Sequence, residues 1–260
     1  MFDIETLPQN LAGDFRHARA STDKLSVEAR SEICEKRKVS LRTQQRSRWG
    51  EGAVAAVRVG TGELADGDVR QDTTSTPLLE VLATKLSGSK VVQGYGSVFD
   101  LGYVLYDAYG PYIEYMNPHA FDKSLAVPDI QVSFLSSHSG LGMATTRGGS
   151  LALGADTFGL GFAASLSAKE TDAKDIYNKL ERGSTPLDTS VAGIITAYEW
   201  NLYYDEIEIY NWNMSRGEIS IVQAGANPAG WVSPRKDNTE ATRSALAEME
   251  QLTNYQEGVK

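Results

Sequence analysis

Apolar and polar positions change period several times along the chain. Val91–Asp100, Tyr103–Tyr106, Tyr112–Met116, Ile130–Ser136, Leu151–Leu153 and Phe162–Leu166 are short runs rich in β-branched and aromatic residues. Turn residues separate them, which predicts strands. Glycines inside Val91–Asp100 read as bulges or close backbone approach. Three further strands are predicted at Asp188–Glu199, Glu206–Trp212 and Glu218–Ala224. In the second, Ile207 and Ile209 alternate with Glu206 and Glu208, the pattern of a half-buried strand.

Elsewhere the period lengthens. Ala173, Ile176, Tyr177 and Leu180 fall on one helical face. Ser167 and Glu170 have the spacing of a capping box ahead of it, and Gly183 is placed to end it. Pro77–Leu86 reads as a short helix with Pro at its first position. Asn117-Pro118 reads as an N-cap and first turn, opening a helix through His119, Phe121 and Leu125. In the segment 238–255, Asn238 is a candidate N-cap, and Leu246, Met249 and Leu252 form a narrow apolar stripe. That helix would dock on a partner or pack on its own domain. The expected fold class is α+β: a β-barrel, or a strongly curved and mostly antiparallel sheet, with a few packed helices outside.

Charge divides the chain into three parts. Residues 1–90 carry net charge +1, residues 91–233 carry −9, and residues 234–260 carry −1. The expected organisation follows this division: an extended, partly disordered arm over 1–90, a folded domain over 91–233, and a helical tail over 234–260. The arm holds a basic stretch from Arg30 to Arg48, which reads either as a docking arm for an acidic surface or nucleic acid, or as a solvated extension. Asp66–Thr76 reads as linker. The whole chain, 260 residues at net charge −9 and pI near 4.9, does not suit a general nucleic-acid binder. No apolar run approaches the ~18 residues of a membrane span, and the N-terminal residues lack a signal-peptide pattern. The expectation is a soluble, intracellular protein.

Composition narrows the chemistry. One cysteine, Cys34, excludes an internal disulfide and a multi-cysteine zinc site. His17, His119 and His138 are the only histidines, and none form an i, i+4 pair or an HExxH motif. Neither a phosphate-binding GxxxxGK[ST] nor a GxSxG elbow occurs, and no cofactor is expected. Serine nucleophilic catalysis remains open. It needs a hydroxyl, a neutral imidazole in reach, and a group that holds the imidazole's tautomer. His138 follows the apolar run VSFL in a stretch of small polar residues, so it sits near a strand end. A histidine there is more commonly an ordinary hydrogen-bonded loop residue than a base. Ser190 lies in a predicted strand with Gly193 three residues on, where a structural serine is the common case.

The order of the segments adds a resemblance. Gly94–Phe99 (GYGSVF), Asn117–Leu125 (NPHAFDKSL), Phe134–Gly142 (FLSSHSGLG), Leu151–Phe162 with the helix ending at Lys179–Gly183, and Thr189–Gly193 with Glu218–Pro228 (EISIVQAGANP) occur in sequence. Over roughly 91–233 the chain resembles the prohead (capsid maturation) protease family of tailed phages. It departs from the family pattern at Ser137 and Ser139, where Asn and Asp flank the histidine, and at His119, where the family has Gly. Around Ser190 the glycine is displaced by one residue.

The resemblance implies a fold like that of the herpesvirus assembly proteases and a serine endopeptidase. Ser190 would be the nucleophile, His138 the general base and Glu218 the carboxylate that orients it. Glu218 also fits a surface strand carboxylate. His119 is a rival third member, with Asp156 and Asp188 behind it. The implied substrates are scaffold segments and the major capsid protein, cleaved inside the immature capsid in the host cytoplasm, with self-cleavage and self-association in the prohead. No membrane or specific nucleic acid is implied as a partner. A neutral-imidazole mechanism loses activity as pH falls through the imidazole range, about 6.5 in model peptides. Two rivals stand: a catalytically inactive capsid-assembly or scaffolding protein on the same fold, and a generic ligand-binding β-barrel.

Overall fold

The longest strand sets the frame. In the computed structural model, Glu206–Val222 runs as one 17-residue strand, where the sequence pattern predicts two. The structure describes residues 14–36 apart from 17, 20–24, 30 and 34, the backbone of 59–64, and residues 76–235 apart from 89, 108–109 and 184–186. The basic stretch after Lys36, the 66–75 linker and the 238–255 segment lie outside the described residues. In chain order the elements are β1 (Val59–Leu64), α1 (Pro77–Thr84), β2 (Val91–Val98), β3 (Tyr103–Asp107), β4 (Gly110–Met116), α2 (Asp122–Leu125) and β5 (Val132–Ser136). Then follow β6 (Ser139–Thr145), β7 (Leu151–Ala155), β8 (Gly159–Ser165), α3 (Thr171–Glu181), β9 (Asp188–Trp200), β10 (Glu206–Val222) and β11 (Trp231–Pro234).

These strands form two sheets. The seven-stranded sheet runs β1-β3-β4-β10-β5-β6, with β9 paired to β10; the four-stranded sheet runs β11-β2-β8-β7. Among the described residues no barrel closes; of the two expected forms, the strands take that of open sheets. The pairing is mostly antiparallel, but β10 runs parallel to both β4 and β5. The sheets enclose one main core. Phe134 from β5, Ile219 and Ile221 from β10, and Val92, Leu160 and Phe162 from the smaller sheet meet there, with the Phe134 and Phe162 ring centroids 5.2 Å apart. β2 is buried along its whole length because α1 covers its other side: Leu79 packs with Tyr95 and Trp231, and Leu82 and Ala83 with Val91 and Ala163.

Helix ends follow their chemistry with two corrections. α1 has Pro77 at the first turn as predicted, and Thr76, read in sequence as the end of a linker, is its N-cap and accepts from Leu79 N–H. α3 has the predicted apolar face, burying Ala173 and Tyr177, and ends on Gly183 at φ 59°. Its cap, however, is Glu170, without a side-chain bond, and the Ser167 hydroxyl accepts from Lys169 N–H instead of closing a capping box. Asn117 caps a turn, its Oδ1 accepting from His119 N–H, and only Asp122–Leu125 is helical beyond it.

Residues ahead of the sheets also pack on them. Phe15 is fully buried. The Asp14 carboxylate accepts from the Tyr106 hydroxyl at 2.5 Å, and Arg19 pairs with Asp205 at 2.5 Å and Glu206 at 3.4 Å.

Close backbone approach explains one glycine in the predicted bulge region. A Cβ at Gly94 would lie 1.9 Å from the Trp231 carbonyl oxygen, on the paired strand β11. Gly94→Ala therefore forces β2 and β11 apart and lowers stability by about 3 kcal/mol, measured by chemical denaturation. An unchanged midpoint contradicts this packing.

Candidate active site

Which way a β10 side chain points depends on two irregularities. Ile207 and Ile209 face the core, then Trp212 and Met214, then Ile219 and Ile221. The inward set thus moves from odd to even positions and back, where the β9–β10 register shifts near Asn211 and again between Asn213 and Glu218. A bulge adds a residue on one strand and reverses the alternation beyond it. Glu218 and Ser220 consequently fall on the face of the sheet opposite Ile219 and Ile221.

Register then selects their neighbours. Ser220 pairs directly with Ser190 of β9, and Glu218 with Ala192. Directly opposed residues project from the same face with Cβ atoms about 4.5–5.5 Å apart. Ser190 therefore shares a face with Ser220 and stands diagonal to Glu218. On the other side, Glu218 aligns with Ser133 of β5. A Cβ at Gly193 would lie 2.5 Å from both the Asn213 carbonyl oxygen and the Trp212 indole nitrogen, so glycine at this position lets β9 follow β10 closely just beyond Ser190.

β5 brings the imidazole to the same place. It ends in a tight turn in which Ser136 pairs with Ser139, and the two residues between, Ser137 and His138, have φ of 50° and 57°. Both central residues at positive φ make a two-residue hairpin of the kind that usually contains Asn and Gly. The Ser137 N–H donates to the Ile221 carbonyl at 2.9 Å, tying the turn to β10. His138 then reaches back, and its Nδ1 lies 2.6 Å from Glu218 Oε1. An ionised carboxylate only accepts, so with Glu218 ionised the Nδ1 of His138 carries the proton and Nε2 is the basic nitrogen. The Glu218 side chain is 12% exposed and that of His138 35%. Ser220, fully buried, donates its hydroxyl to the same Oε1 at 3.0 Å.

Of the three residues that the resemblance implies, His138 and Glu218 form this hydrogen bond, and Ser190 lies on the same face by register. The rivals sit elsewhere. His119 is exposed and its Nδ1 lies 2.9 Å from Asp122 of its own turn. Asp156 accepts the Tyr95 hydroxyl and the N–H groups of Phe158 and Gly159. Burial and that carboxylate push the Tyr95 phenol well above its usual range. Asp188 accepts from Gly225 N–H at 3.0 Å. Ser220 was missed, although a two-residue spacing in a strand puts residues on one face, so Glu218-Ile219-Ser220 carried the signal. Among the described residues, no group of three or more His, Cys, Asp or Glu side chains could hold a metal ion, and no helix is long and apolar enough to cross a membrane.

The family model described as Caudovirus prohead serine protease matches residues 79–245. The match spans more than half of the chain, and the chain belongs to that family. No curated protein and no solved structure matches it.

The left-handed turn makes a stability prediction. A β-branched residue is strained at positive φ, whereas Asn tolerates it. Ser137→Val lowers unfolding free energy by about 1–2 kcal/mol, and Ser137→Asn does not lower it, as read by denaturant titration of the two variants. Equal stability of the two would place the turn in a different conformation.

Proposed function

We propose that this prohead serine protease family member is an endopeptidase that cleaves the major capsid protein and scaffold segments inside the immature capsid, with Ser190 as nucleophile. His138 Nε2 takes the Ser190 proton as the hydroxyl oxygen attacks the peptide carbonyl. The C–N bond then breaks, and the imidazolium returns the proton to the leaving amine. Water, deprotonated by the same nitrogen, releases the acyl group and regenerates the serine. Glu218 holds the Nδ1–H of His138 through both half-reactions and stabilises the imidazolium each time it forms. The same enzyme would cleave its own chain and self-associate in the prohead.

One observation carries this reading. The Glu218–His138 hydrogen bond is built on the sheet face where register puts Ser190. A carboxylate on one strand, an imidazole at the turn leaving the next, and a hydroxyl on the strand opposite form a base–orienter pair beside a candidate nucleophile. Ser190 is 8% exposed and Ser220 is fully buried, so of the two opposed serines Ser190 is the one nearer to solvent.

The rival reading is a catalytically inactive capsid-assembly component, and the two readings separate cleanly. Co-expression of the capsid protein with Ser190→Ala or His138→Ala abolishes its processing, a loss of about 10⁶-fold in kcat, while Glu218→Gln loses about 10⁴-fold. Far-ultraviolet circular dichroism of the variants stays that of the parent. Processing that persists in Ser190→Ala refutes the assignment and leaves only the assembly role.

A further inference from the structure

We propose that Ser220 is a positioning residue for the catalytic carboxylate, a role that rests on the reading of Glu218 given above. A glutamate has three side-chain torsions, and an unsecured carboxylate can turn its oxygens away from the imidazole. Here Oε1 is the acceptor for two donors at once: His138 Nδ1 at 2.6 Å and Ser220 Oγ at 3.0 Å. The second donor comes from the same strand two residues on, so its position is fixed by the backbone of β10. Ser220 is fully buried, and its hydroxyl therefore has no water to turn to. A hydroxyl donating to a charged group is stronger than one bonding a neutral group, and it pins the oxygen that His138 uses.

The arrangement also separates the roles of two serines that face each other across β9 and β10. The Ser220 hydroxyl is committed to the carboxylate and shut off from solvent. Ser190, opposite it, is the partner left to react. The two strands thus present one serine to the substrate and one to the base's support.

The test measures kcat and KM for cleavage of the major capsid protein by the full chain. It compares wild type with Ser220→Ala, Ser220→Thr and Ser220→Val, with Ser190→Ala as reference. A lost hydrogen bond to a charged group predicts a kcat lower by about 10- to 100-fold in Ser220→Ala, with KM unchanged. Thr and Val have nearly the same shape and differ in the hydroxyl, so kcat is higher in Ser220→Thr than in Ser220→Val by a similar factor. In the proton nuclear magnetic resonance spectrum the downfield His138 Nδ1–H signal of the wild type shifts or broadens in Ser220→Ala and is retained in Ser220→Thr. Wild-type kcat in Ser220→Ala, or equal kcat in the Thr and Val variants, overturns the positioning role. Activity that survives in Ser190→Ala is a separate failure. It overturns the catalytic reading, and the resonance still reports whether Ser220 holds Glu218.

Discussion

The hydrogen bond between His138 and Glu218 depends on two strands running side by side in the same direction. Parallel pairing of β5 with β10 sets Ser133 beside Glu218 and Ser136 beside Ile221, so the turn after β5 leaves the sheet a few residues beyond Glu218. From there His138 needs only to fold back over the β10 face. A one-residue slip of β10 would send the carboxylate to the core side. The core prevents that slip, because Phe134, Ile219 and Ile221 are all buried against the second sheet. Packing on one face thereby holds chemistry on the other.

Several local departures from regular structure serve this geometry. The bulges in β10 return its outward positions to the even residues before Glu218. The turn holds two side chains at positive φ, a conformation that costs energy for residues other than glycine and is often kept where it aims a functional group. Gly193 permits the β9 backbone to approach β10 where any side chain would collide. The bulges aim Glu218, the turn aims His138, and Gly193 keeps β9, which carries Ser190, close against β10.

Much of the fold was legible. β2 to β5, β7, β8 and β9, together with α3, match runs of apolar periodicity, because buried strands and amphipathic helices must carry that pattern. β6 was not, since Ser139–Thr145 holds two glycines and one buried residue and lies at a sheet edge. β10 reads as two strands because its bulges break the alternation that defines a strand in sequence. Phe15 and the Arg19–Asp205 pair were hidden for another reason: partners separated by 186 positions leave no local pattern. At the site, Ser190, His138 and Glu218 came from motif order rather than residue chemistry. A serine in a strand and a histidine in a turn have ordinary structural uses, and only three-dimensional register puts them on one face.

The most direct measurement is covalent labelling of the full chain with an organophosphorus serine reagent, followed by peptide mapping with mass spectrometry. A hydroxyl activated by a neighbouring imidazole is phosphonylated far faster than ordinary serines. One residue, Ser190, is expected to be labelled rapidly, with labelling lost in His138→Ala. Labelling of another serine, or labelling of Ser190 that is indifferent to His138, would contradict it.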